Sequence, residues 1–271
     1  MILTGPVFDG GASQNIFVGG RDGNLYCVTF AGTACSTPSI SVASGLLPGP
    51  VMDEPIVDST AQMVFSAASN STTSVLMQAT TAMGSPIRAS MGESGTDLYS
   101  GAFDNAYFTS VSTGHMYFCG NLTTAATPTL WRVTFDSSGK MSSTNDGGSF
   151  QLVISGRAGQ TEDCTPLSEV FNVSQNKDYL FLGVTDNGFT LGTPNCSNET
   201  CLMSFVLPTF APFTFPTAAN ATATNDTLNL GNNGMSGIGI DNVSAAAGAS
   251  QIYFGNLQQS TAVQASQSAL R

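Results

Sequence analysis

The chain has 271 residues, of which only 9% are Asp, Glu, Lys or Arg, far below the roughly 25% of ordinary soluble domains. Eighteen acidic against seven basic side chains leave a net charge of −11, which repels polyanions and excludes nucleic acid as a partner. No apolar run approaches the about 18 residues of a membrane helix, so no transmembrane segment is expected.

Strand signals fill the sequence from its start. Pro6-Val-Phe-Asp9 is followed by Asn15-Ile-Phe-Val-Gly19, Arg21-Asp-Gly-Asn24 and Leu25-Tyr-Cys-Val-Thr-Phe30, short apolar runs punctuated by Gly, Asp and Asn. Asp22-Gly23 reads as a tight hairpin turn with both central residues at positive φ. The same unit recurs: an apolar strand ending in Asp or Asn, a polar turn, then an aromatic-bearing strand running into Gly, Asn or Ser. Its copies are Pro55-Ile-Val-Asp58 with Met63-Val-Phe-Ser66, and Gly101-Ala-Phe-Asp104 with His115-Met-Tyr-Phe-Cys-Gly120. They continue as Glu169-Val-Phe-Asn172 with Tyr179-Leu-Phe-Leu-Gly183, and Gly239-Ile-Asp-Asn242 with Gln251-Ile-Tyr-Phe-Gly255. The Asp or Asn stands where a turn begins, and its side chain can accept from the backbone two residues on. Long runs with helical periodicity are absent.

In the middle copies a strand precedes the pair and another follows it: Ser39-Ile-Ser-Val42 before and Ser74-Val-Leu-Met77 after, or Phe150-Gln-Leu-Val-Ile154 before and Leu202-Met-Ser-Phe-Val206 after. Four strands per repeat at a spacing of about 45 to 70 residues is the anatomy of propeller blades. The expected fold is all-β, a β-propeller-like array of about five four-stranded antiparallel blades in one domain over residues 1–271. The blades run roughly over 1–36, 37–82, 83–136, 137–209 and 210–271. A sandwich or a flat array of hairpins has similar local patterns. The first copy has no leading strand, so an incomplete first blade is expected. It would be completed by the segment around Thr261-Ala-Val-Gln264, by upstream residues, or by strand exchange with another copy of the chain. The start, Met1-Ile-Leu-Thr4, lacks the features of a signal peptide, and upstream sequence is expected to be missing.

Several of these motifs look like secreted bacterial β-propeller-like repeat proteins. They are Pro55-Ile-Val-Asp-Ser-Thr60, Gly101-Ala-Phe-Asp-Asn-Ala-Tyr-Phe108, Phe118-Cys-Gly-Asn-Leu122 before Pro128-Thr-Leu-Trp131, Cys201-Leu-Met-Ser-Phe205, and Gly237-Ile-Gly-Ile-Asp-Asn242 before Ala249-Ser-Gln-Ile-Tyr-Phe254. The resemblance covers most of the chain, which looks like the C-terminal part of such a protein. It implies a fold and a truncated N-terminal half, and no activity or site residues.

Six cysteines, Cys27, Cys35, Cys119, Cys164, Cys196 and Cys201, form no C-x-x-C pair and read as disulfides of an oxidising, extracellular compartment. Cys27 with Cys35 and Cys196 with Cys201 are placed to staple hairpins, which leaves Cys119 with Cys164 across blades. Asn-x-Ser/Thr triplets at Asn70, Asn121, Asn172, Asn195, Asn198, Asn220, Asn225 and Asn242 make these residues candidates for glycosylation.

Catalytic patterns are weak. Gly234-Met-Ser-Gly-Ile238 fails the last position of a nucleophile elbow. The single histidine, His115, gives any triad or histidine-bound metal one place to be, and reads most simply as a half-exposed strand-end residue. Asp53, Glu54, Asp58, Asp104 and Glu169 are candidates for a glycosidase-type carboxylate pair, although Asp58 and Asp104 already have a structural role as turn starters. Glu162-Asp163 and Asp186-Asn-Gly188 are conceivable calcium loops without the usual ligand spacing. Trp131 reads as core. The expectation is a non-catalytic extracellular structural protein with no cofactor or metal, a self-assembling subunit of a filament or surface layer whose partners are its own copies and covalent glycans. The alternative is an extracellular glycan-binding or glycan-processing propeller with its site in the central funnel.

Overall fold

In a computed structural model, the structure describes residues 2–44, 49–93, 97–122, 127–146, 149–152, 163–173, 175–185, 189–190, 193–194, 200–207, 221–224, 234–241 and 251–266. The chain is all-β and is organised as consecutive antiparallel meanders. The first sheet runs β1 (Val7–Phe8), β2 (Asn15–Gly19), β3 (Asn24–Thr29) and β4 (Ala34–Ser41). The second meander is β5 (Ile56–Asp58), β6 (Met63–Ser69), β7 (Thr73–Thr80) and β8 (Ile87–Glu93). The third is β9 (Ala102–Phe103), a short helix α1 (Asn105–Thr109), β10 (His115–Asn121), β11 (Pro128–Thr134) and β12 (Ser149–Gln151). The fourth is β13 (Ser168–Asn172), β14 (Lys177–Val184), β17 (Cys201–Leu207) and β18 (Ala221–Thr224), interrupted by the small hairpin β15 (Phe189–Thr190) and β16 (Thr193–Pro194). The last described sheet is β19 (Gly239–Asp241), β20 (Gln251–Asn256) and β21 (Thr261–Ser266).

The second and third meanders join into one eight-stranded sheet through a single parallel bridge, Asn121 opposite Gly92. Gly92 is at φ +87°, and a Cβ there would collide with the Asn121 carbonyl; only glycine permits both the backbone conformation and the approach.

Alternation along the strands explains how the meanders stack. On β6, Val64 and Ala68 face the first sheet while Phe65 and Ala67 face the third meander. On β10, Met116 and Phe118 pack back onto the second meander, while Tyr117 and Cys119 pack forward onto the fourth. On β14, Leu180, Leu182 and Val184 meet the third meander, and Tyr179 and Phe181 meet the fifth sheet. The period of two puts successive side chains on opposite faces, and a sheet covered on both faces must be apolar on both. This is why the strands of the middle copies read as nearly unbroken apolar runs.

Two expectations are corrected. The first four strands make a complete four-stranded sheet, so the first unit is not short. The strand containing Ser39–Ser41 closes that first sheet on β3 instead of opening the second, and Ser149–Gln151 likewise closes the third meander on β11. Each described sheet therefore begins with the strand that leads into the Asp or Asn, and divisions at 37, 83 and 137 would cut through β4 and separate β8 and β12 from the meanders they complete. Thr261–Ser266 pairs with β20 in the last sheet and does not complete the first. A repeat has no marked origin in its sequence, and the pairing partner of a flanking strand is a long-range property.

Local departures are smaller. Asp22-Gly23 does lie in the β2–β3 hairpin, but Gly23 alone is at positive φ, because the loop spans Gly20 to Gly23 with Gly23 N–H donating to Gly20 O at 3.0 Å. The helix α1 was not anticipated; Asp104 caps it, its carboxylate accepting from Tyr107 N–H at 3.0 Å.

Candidate functional site

The repeat's turn-starting residues hold the folded backbone. Asp9, fully buried, accepts from Gly11 N–H at 2.9 Å and from the Ser13 hydroxyl. Asp58 accepts from Thr60 and Ala61 N–H at 2.8 and 2.9 Å with one oxygen, and from the Tyr107 hydroxyl at 2.6 Å with the other. Burial and this bond to Asp58 push the Tyr107 phenol well above its usual range. Asn172 accepts from Gln175 N–H at 3.1 Å. The side chains thus replace the backbone partners that a turn lacks.

At Asp104 the same position becomes the centre of a buried polar cluster. Its Oδ1 accepts from Tyr107 N–H and His115 N–H, both at 3.0 Å, and its Oδ2 meets His115 Nδ1 at 2.8 Å. His115 is 7% exposed, so the sequence expectation of a half-exposed strand end is overturned. The reason is that β10 is covered on both faces. Two residues on, Tyr117 lies opposite Arg132 across the β10–β11 ladder, and the guanidinium acts on the phenol as a nearby positive charge. Desolvation is the main reason that the Tyr117 phenol is raised, with the Asp104 carboxylate adding to it. Arg132 also pairs through Nε with Asp146, whose side chain is only 13% exposed.

The fourth meander contributes two carboxyls to the same place. Glu169 on β13 and Asp178 on β14 are diagonal neighbours on one face, since Glu169 pairs with Leu180 and Phe171 with Asp178. Asp178 is 1% exposed, and its Oδ2 accepts from Asn105 N–H at 2.8 Å, across the seam between meanders. Burial raises Glu169 well above the glutamate range, helped by the nearby charges of Asp178 and Asp104. Asp178 is raised as well, chiefly by burial.

Of the five carboxylates singled out in the sequence, the fold brings Asp104 and Glu169 into one neighbourhood and ties Asp58 to it through Tyr107. Sequence reasoning missed Asp178, Tyr117 and Arg132. The one available signal was a charged residue interrupting an otherwise apolar strand pattern, as Asp178 does before Tyr179-Leu-Phe-Leu182. Asp53 and Glu54 lie elsewhere, ahead of β5. Asp53 accepts from Ser100 N–H at 3.2 Å, and the Ser100 hydroxyl donates to the Glu54 carbonyl. Asp53, as acceptor of a hydrogen bond from the protonated Glu54 carboxyl and as a like charge, holds Glu54 above its usual range. Asp163 accepts from Asp97 N–H at 3.3 Å, whereas Glu162 and Asp186 fall outside the described residues. Among the described residues no group of three or more His, Cys, Asp or Glu is arranged to hold a metal ion. Trp131 is half-buried against the seam between the second and third meanders.

Cys27 is bonded to Cys35, and Cys119 to Cys164. Cys201 is also disulfide-bonded, while Cys196 lies outside the described residues. Among the glycosylation candidates, Asn121 is fully buried. Asn70 sits at the β6–β7 turn, accepting from Thr72 and Thr73 N–H at 2.9 and 2.8 Å and donating to Ser44 O at 2.9 Å. Asn195, Asn198, Asn220, Asn225 and Asn242 lie outside the described residues. No described helix is long and apolar enough to cross a membrane.

An open depression elsewhere, of about 520 Å³, is lined by Ile87, Thr134, Phe135, Asp136, Lys140 and Met141. It brings one acid and one amine to its rim and contains none of the clustered carboxyls. No protein-family model matches this chain, and no curated protein matches it.

Proposed function

We propose that the protein is a non-catalytic extracellular structural subunit that assembles with copies of itself, its meanders arranged as blades of a propeller-like array. The observation that carries this reading is the chemistry of the outer strands. β4 (Ala-Cys-Ser-Thr-Pro-Ser-Ile-Ser), β12 (Ser-Phe-Gln), β18 (Ala-Thr-Ala-Thr) and β21 (Thr-Ala-Val-Gln-Ala-Ser) each end their sheet and hold no Asp, Glu, Lys or Arg. A protein that must stay monomeric protects long edges with charge, especially Lys, with Pro or by keeping them short; among these outer strands β4 carries Pro38 and β12 is three residues long, and none carries charge. These edges offer backbone donors and acceptors among hydroxyls and amides instead, and β4 is long and largely exposed. Disulfides add the covalent staples useful outside the cell, and sugars on accessible sequons fit the same setting.

The test is solution size. Light scattering and electron microscopy of the purified chain give polymers or higher oligomers, and Ser39→Lys, on an exposed position of β4, shifts the population toward monomer without lowering thermal stability. Monomers at all concentrations overturn the reading.

A second reading, a glycan-processing site, is favoured by one observation only, the convergence of Asp104, Glu169 and Asp178 near His115. It is weaker because these groups are buried and occupied with backbone donors and with one another. Hydrolysis of an oligosaccharide that is lost in Glu169→Gln, with folding retained, would establish it.

A further inference from the structure

The seam between the third and fourth meanders has two different ends. At one, Cys119 near the end of β10 is bonded to Cys164, which bridges to Val184 at the end of β14. Between lie Tyr117, Leu130, Leu180, Leu182, Met203 and Phe205, all buried. At the other end no covalent link joins the described residues. There Asp178 Oδ2 receives Asn105 N–H, and Glu169 is the diagonal neighbour of Asp178 on the same face of the β13–β14 ladder. Glu169 Oε1 and Asp178 Oδ1 are fully buried and meet no N–H or hydroxyl donor. Two ionised carboxylates have acceptors only, so a bond between them requires one proton.

We propose that this proton is a clasp: held between Glu169 and Asp178, it closes the end of the seam opposite the Cys119–Cys164 disulfide, and its removal loosens that end. The proton belongs on Glu169, because Asp178 already accepts backbone N–H groups, from Asn105 and from Tyr179, that favour its ionised form. Glu169 then donates to Asp178, and the Asp178 carboxylate holds Asn105 and with it the start of α1.

The surrounding groups keep the proton in place. From the third meander, Asp104 adds negative charge that resists ionisation of both acids, while His115 is engaged by Asp104 and Arg132 by Asp146. On β14 itself Lys177 is exposed at the strand start, and Asp241 on β19, the fifth-sheet strand beside β13, is exposed and acidic. No cation is directed at the pair among these. Because folding raises the affinity of Glu169 for its proton, the stabilisation is complete below the ordinary glutamate range and declines as pH rises toward the value of the folded state.

Thermal unfolding across pH, compared between the wild type and Glu169→Gln, tests the clasp. Glutamine donates a hydrogen bond at every pH, so the wild type loses melting temperature on passing into alkaline buffer while Glu169→Gln loses markedly less. In the same buffer the Asn105 amide exchanges with deuterium at least about tenfold faster in the wild type, each unit of pKa being about 1.4 kcal/mol. Infrared spectroscopy of the wild type at neutral pH shows the carbonyl stretch of a protonated carboxylic acid, absent from the variant. Parallel alkaline decline in the two proteins overturns the proposal. If the variant does not fold, the wild-type spectrum decides alone, and no acid carbonyl band at neutral pH overturns it equally.

Discussion

One residue position illustrates how a repeat can serve two purposes. Asp9, Asp58 and Asp104 end the first strand of successive meanders, and each satisfies the turn that follows. At Asp104 the turn becomes a helix start, and the spare oxygen engages His115. Removing this carboxylate leaves a cap unfilled and a buried imidazole without its acceptor. Asp104→Ala should therefore lose about 2 to 4 kcal/mol, from the lost helix cap and from buried donors left without their acceptor. Asp58→Ala, whose oxygens reach two backbone amides near the surface and one phenol, should lose less, about 1 to 2 kcal/mol. Chemical denaturation of the two variants checks the order.

At the scale of elements, the seams between meanders differ in what holds them. The first and second are joined by apolar packing and by Arg88, which donates to Val42 O at 2.8 Å and Ser41 O at 2.6 Å. The second and third share Gln78, which donates to Gly139 O and accepts from Met141 N–H at 2.5 and 2.8 Å. Only the third and fourth are linked by a described disulfide. Cys119–Cys164 closes 45 residues and Cys27–Cys35 only eight. Chain entropy then predicts that replacing the first pair by Ala lowers stability by about 4 kcal/mol and the second by about 2.5 kcal/mol. Thermal melts of the two double variants measure the difference. The long-range bond should also protect β14 from hydrogen exchange, whereas the short one acts within a single hairpin.

For the whole molecule, the charge of −11 is carried with few counter-charges, so copies repel one another at long range while uncharged edges attract at contact. Raising ionic strength shortens the screening length from about 30 Å at 0.01 M to about 8 Å at physiological salt. Assembly should therefore strengthen with added salt, as sedimentation velocity at several ionic strengths would register. Assembly driven by ion pairs would weaken instead, and that outcome would tell against contact through neutral edges.

How much was legible without the fold follows from what each signal depends on. The all-β class, the recurring Asp-terminated strand, the role of that Asp in its turn and the pairing of Cys27 with Cys35 rest on neighbours within about ten residues, where periodicity and turn chemistry act directly. The origin of the repeat escaped, because Ser39–Ser41 is as good a strand whether it pairs backward with β3 or forward with β5. So did the clasp: Glu169, Asp178 and Asn105 are brought together only when two sheets stack. The covered faces that bury His115, and the edges left open, were decided by packing between distant segments. The sequence alone determined the strands and their turns; the tertiary structure decided which carboxyls must share a proton, because burial is a property of the assembled sheets and of no single strand.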